Sequence, residues 1–168
     1  MKKEIKFYNV IFPVWMMMIL PIVWIVVLPA NFIVDSCVLL IALKFIIKQK
    51  DIKLLYKKTI LKVWILGFVA DIIGAVTLLA AELFFSNGDS KLIKQLSSVY
   101  WNAFDNIYAF LYVACAVLIS AVLIFVLNYK YSFSNITLEK EEKVRAALTL
   151  AILTAPYTFF IPTEMIYR

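Results

Sequence analysis

Asp71 lies inside a long apolar run, Ile60 to Phe85, where its carboxyl group is removed from bulk water. A charged aspartate at the centre of such a run costs about 2.5–3.5 kcal/mol on insertion scales, so a partner, a proton or a water-filled cavity is expected beside it. Ala70, Gly74, Thr77 and Ala81, with Gly67 alongside, form a ridge of small residues at helical spacing. Ridges of this kind admit a second helix at close range, which predicts helix packing through these positions and turns Asp71 into a bundle.

Two further segments could share its chemistry. The run from Asn106 to Leu127 is preceded by Asp105 and carries Tyr108, Tyr112, Cys115, Ala116 and Ser120 at offsets of three or four. Tyrosine hydroxyls in apolar surroundings need acceptors, and Asp71 is a suitable one for Tyr112 or Tyr108. From Thr154 to Glu164 the chain reads Thr-Ala-Pro-Tyr-Thr-Phe-Phe-Ile-Pro-Thr-Glu. Pro156 frees the carbonyl of Ile152, Thr154 and Thr158 can answer nearby backbone groups, and broken helices of this type line ion or substrate sites in transporters. The candidate path is therefore Asp71, Tyr108, Tyr112 and Thr154, with Asp35, Glu82, Asp105 and Glu164 as acids that concentrate cations at an outer mouth. Pro13, Pro21, Pro156 and Pro162 are expected to kink helices.

The same residues also fit a purely structural reading, in which Asp71 is a hydrogen-bonded packing residue and the tyrosines mark an interface. A faint likeness links Asn-Phe-Ile-Val-Asp at 31–35 with Gly-Phe-Val-Ala-Asp at 67–71. Two carboxylates can share a proton and activate water, as an intramembrane hydrolase of the aspartyl type would require. Asp35 near an outer span end and Asp71 near a span centre would differ in depth by about 10 Å, which argues against a dyad. No Ser/His, Ser/Lys, P-loop or dinucleotide fingerprint is present, so the chain is not read as an enzyme.

The elements that hold these residues follow from composition. Of 168 residues 64% are hydrophobic and the mean hydropathy is +0.92, against roughly 45–50% apolar residues in soluble domains. An all-α integral membrane protein is expected, a bundle of about five transmembrane helices in a single domain, 1–168. The spans read as 8–28, 32–47, 60–85, 106–127 and 144–166, with a short amphipathic interfacial helix over 89–101. Pro29-Ala30-Asn31 is read as a tight turn between the first two, which form either two crossings or a re-entrant hairpin. Ser86-Asn87-Gly88 closes the third span, and Thr137 is read as the N-cap of the fifth, ahead of Glu139, Glu141 and Glu142. The first run is too long for a signal-peptide core and no cleavage site follows it.

Histidine is absent, and Cys37 and Cys115, the only cysteines, lie in apolar segments. A Cys/His metal site, a disulfide framework and a resident cofactor are not expected. The formal charge is +6, but fifteen lysines against two arginines, placed beside apolar runs, signal orientation rather than nucleic-acid binding. With the N-terminus inside, 14 of the 17 basic residues fall on the inner side, which predicts an N-in, C-out chain. The seven lysines from Lys44 to Lys62 would face anionic lipid headgroups. Asn135-Ile136-Thr137 matches a glycosylation sequon but falls on the inner side, where it has no use. Lysine and isoleucine richness hints at an AT-rich bacterial genome, and the plasma membrane is the expected location.

The expected function is an accessory subunit that packs against other membrane helices, in a homo-oligomer or a larger complex. The alternative is a small transporter or channel module that uses Asp71 for proton or cation coupling.

Overall fold

The computed structural model describes residues 13–85, 97–134 and 136–165, which are helical with no strand among them. Four α-helices carry the fold: α1 (Trp24–Ile41), α2 (Ile52–Phe85), α3 (Ile107–Leu127) and α4 (Lys140–Leu153). With their flanking turns, the helical stretches Pro21–Ile46, Ile52–Ala80 and Ile107–Ser132 are long and apolar enough to cross a membrane. At about 1.5 Å per residue they reach roughly 39–44 Å, against a hydrocarbon core of about 30 Å. α2 is the central element and packs on both α1 and α3, while α4 closes against α3 and α1.

The bundle has a basic end. Every described basic residue belongs to one of two stretches, seven lysines from Lys44 to Lys62 or the group Lys130, Lys140, Lys143 and Arg145. Gln49, in the α1–α2 connector, donates to Glu142 in the first turn of α4 at 2.7 Å and ties the two stretches together. At the opposite end the Thr163 N–H donates to the Trp101 carbonyl at 2.8 Å. The Trp15 indole reaches the Val99 carbonyl at 3.4 Å and its ring leans on Tyr100. The chain after α4 therefore regains the far end, although α4 itself stops at Leu153.

The prolines reverse the sequence-based expectation. Pro29 does not sit in a turn: α1 runs through it without interruption. An interior proline costs about 3 kcal/mol in lost hydrogen bonding and steric conflict. Here long-range packing offsets it. The Trp64 indole donates to the carbonyl of Leu28 at 2.9 Å, and edge-on pairs Phe32–Trp64 and Trp24–Phe68 pin α1 to α2 on both sides of the proline. The four prolines read as kinks stand instead beside short 3-10 turns. Pro13 precedes Val14–Ile19, Pro21 opens Pro21–Val23, Pro156 precedes Tyr157–Phe160 and Pro162 precedes Thr163–Met165. A missing N–H is harmless at a helix start, where the donor has no intrahelical partner anyway.

Other boundaries move as well. The expected span 8–28 is not one helix, since residues 14–23 form two 3-10 turns at the far end; residues 1–12 lie outside the described set. The basic connector is helical from Ile52, so α2 begins eight residues before the expected third span. The interfacial helix over 89–101 and the Ser86-Asn87-Gly88 turn fall mostly or wholly outside the described residues, as does Asn135 of the sequon. The expected helix 144–166 begins at Lys140 and ends at Leu153. Its N-cap is Glu139, not Thr137: the Glu139 side chain accepts from the N3 backbone and Glu142 reaches back to the Glu139 N–H at 2.9 Å. That reciprocal box satisfies two orphan donors, which a lone threonine hydroxyl does not. α3 starts after Asn106, whose side chain accepts from the Ala109 N–H.

At the basic end α1 and α3 both widen into π turns, Ala42–Ile46 and Asn128–Ser132. Each closes with an i→i−5 bond, Ile47 to Ala42 and Phe133 to Asn128.

Candidate functional site

α1 and α2 run antiparallel, and the pairing brings the two short alike segments side by side. Asn31 Nδ2 donates to Asp71 Oδ2 at 3.5 Å, a long bond. One turn further along α1, Asp35 Oδ2 lies where a Cβ on Gly67 would be 3.5 Å away. Both carboxyls are buried, Asp35 at 5% and Asp71 at 7% exposure. Asp35 is thus not an acid at an outer mouth. The continuity of α1 through Pro29 moves it to the middle of the stretch Pro21–Ile46, one helical turn from the residue that faces Asp71.

Asp71 also faces a void. A cavity of about 370 Å³ is bounded on one side by Val26, Val27, Ala30, Asn31 and Val34 of α1, and on the other by Leu153, Thr154, Ala155 and Pro156 where α4 breaks. Asp71 lines it from α2, and its Oδ1 is buried with no hydrogen-bond partner among the described residues. A buried carboxyl oxygen left in this state is costly. The break is itself well satisfied: Thr154 donates through N–H and Oγ1 to the Leu150 carbonyl, and the Tyr157 hydroxyl donates to the Ile152 carbonyl freed by Pro156. α4 points its C-terminal end at the cavity, and a helix C-terminus carries roughly half a negative charge. An ionised Asp71 beside that helix end would favour positive charge.

No family model, curated protein or solved structure matches this chain. The site must therefore be read from its own geometry.

Of the expected path residues, Asp71 and Thr154 line one cavity and the two tyrosines do not. Tyr108 is 47% exposed on the outer flank of α3. Tyr112 donates its hydroxyl to the Thr77 carbonyl rather than to Asp71. Of the other acids, Asp105 is exposed in the turn before α3, and Glu164, also exposed, accepts from Asn102 Nδ2 at 2.9 Å. Both are at the far end; the Glu82 side chain is outside the described set.

The small ridge divides its labour. Ala70 and Gly74 face α3, where Ser120 Oγ donates to the Ala70 carbonyl at 3.1 Å and also sits against Gly74. Gly67 faces Asp35 on α1. Thr77 turns its hydroxyl back to the Ile73 carbonyl, and the Ala81 side chain is not described. Sequence reasoning missed Asn31 as a partner of Asp71 and missed the valine wall. The spacing of four in both Asn31/Asp35 and Gly67/Asp71 was the available signal, since positions four apart share a helix face.

Proposed function

We propose that this chain is a small multi-pass membrane protein that binds a cation or a proton at Asp71 and moves it between the two ends of the bundle. The observation that carries the reading is the buried Asp71 carboxyl, which lines a cavity beside a broken helix and has one oxygen without a hydrogen-bond partner among the described residues. Broken helices bordering a charged residue at membrane depth are how transporters hold ions and substrates without water. By the positive-inside rule the basic end is cytoplasmic, in a bacterial plasma membrane. Lys50, Lys53 and Lys57, which border a surface hollow at the start of α2, would meet anionic headgroups there.

The test is flux in proteoliposomes, with internal pH or cation followed by an entrapped dye. Asp71→Asn keeps size and removes the carboxylate charge; flux should fall about tenfold or more, the equivalent of one charged hydrogen bond. Unchanged flux in a correctly folded Asp71→Asn protein would overturn the proposal. A second reading, the accessory subunit, draws support from the polar groups spent on packing at the α2–α3 contact, Ser120 on Ala70 and Tyr112 on Thr77. It predicts that Asp71→Asn leaves activity of the assembled complex intact.

A further inference from the structure

Resting on the transport reading, we infer that the ligand of the Asp71 cavity is an organic ammonium with an aliphatic body, taken from the hydrocarbon phase, and not an inorganic cation. The walls carry the first part of this inference. Five valines, from Val14 to Val34, line the cavity, and its polar side chains besides Asp71 are Asn31, Thr154 and Thr158. An inorganic cation stripped of water needs roughly six oxygen ligands. No group of three or more acidic, histidine or cysteine ligands exists among the described residues. An ammonium needs far less: one carboxylate oxygen and an acceptor or two, with the remainder of the molecule content against aliphatic walls.

The mouth carries the second part. Val26, Val34, Leu153 and Ile161 line the cavity and are also 71%, 48%, 50% and 41% exposed, so the opening lies between α1 and the chain after α4, on the apolar flank of the bundle. A ligand entering there arrives through lipid. Volume carries the third part: 370 Å³ equals about twelve waters at roughly 30 Å³ each, room for an alkyl chain of similar atom count. An ionised Asp71, with the C-terminal end of α4, would then favour a cationic head over a neutral or anionic one. No described basic residue lines the cavity to oppose it.

The probe is octylammonium, titrated calorimetrically into the full chain in phosphatidylcholine nanodiscs, with empty nanodiscs subtracted. Binding is expected to be saturable, to weaken about tenfold or more in Asp71→Asn, and to resist competition by octan-1-ol. Apparent affinity should rise about fourfold per methylene from butylammonium to hexylammonium. Val26→Phe, which fills the mouth and leaves the carboxyl in place, should also weaken octylammonium binding, and it serves as the test if Asp71→Asn fails to fold. Absence of saturable binding, or equal binding by wild type, Asp71→Asn and Val26→Phe, overturns the inference. In that event Asp71-dependent flux of protons, sodium or potassium would leave the transport reading standing, and absence of any Asp71-dependent flux would remove that as well.

Discussion

Gly74 is the position at which three parts of the fold meet, and alanine there tests the packing directly. A Cβ built on Gly74 collides with Ser120 Oγ and comes within 3.0 Å of Phe159 Cε2 and 3.3 Å of the Ala116 carbonyl oxygen. The serine hydroxyl can rotate, but only by leaving the Ala70 carbonyl, and Ser120 is fully buried. The Ala116 carbonyl belongs to the α3 backbone and cannot rotate away. Overpacking costs about 1–3 kcal/mol, and an orphaned buried hydroxyl about 1–3 kcal/mol. Replacing a mid-helix glycine returns about 1 kcal/mol. The net expectation is a loss of about 3 kcal/mol for Gly74→Ala. Unfolding by sodium dodecyl sulfate, followed by tryptophan emission, measures it. A Gly74→Ala/Ser120→Ala double mutant should recover about 1–2 kcal/mol relative to the sum of the singles, because the colliding atom is gone. Additivity within about 0.5 kcal/mol would refute the collision, and a Gly74→Ala protein as stable as wild type would refute the close contact itself.

Three further changes have defined outcomes in the same assay. Glu142→Ala removes both the return arm of the capping box and the acceptor for Gln49, and should cost about 1–2 kcal/mol, with amide exchange accelerated over 139–143. Trp64→Phe keeps a ring beside Phe32 but deletes the donor to Leu28, so a loss of about 1 kcal/mol is expected, with faster exchange around Pro29. Lys48 follows the π turn of α1 with a φ of 56°, in the left-handed region where a side chain costs about 1–2 kcal/mol. Lys48→Gly should therefore stabilise the protein by up to about 1 kcal/mol, measured as a higher midpoint.

Local chemistry was readable wherever it was decided locally. α3 announces itself by Asn106, a side chain suited to capping, ahead of an unbroken apolar run, and its ends fall within a residue of the expected ones. The burial of Asp71 followed from the small ridge beside it. What sequence could not supply were contacts between distant residues. Pro29 reads as a turn until Trp64 is known to brace the carbonyl before it, that of Leu28, 36 positions from the tryptophan. That single misreading put Asp35 at a span end and separated it from Asp71. Tyr112 likewise had a chemically sensible acceptor in Asp71, but α3 presents it to the Thr77 carbonyl instead. The break after α4 was foreseeable from Pro156; its place opposite Asn31 was not.

The paired π turns at the basic end have an evolutionary consequence. A π turn accommodates one residue more than the α turn it replaces, so each behaves as an insertion absorbed at the last turn before a connector. Loss of one residue within Ala42–Ile46 or Asn128–Ser132 would restore an α turn and leave the facing of the lysine-bearing connector unchanged. Residues nearer the centre, Asp35 on α1 and Ser120 on α3 among them, would keep their register. The connectors can thus be lengthened or shortened by single-codon changes, and the basic end is free to diverge while the buried acids stay where they are.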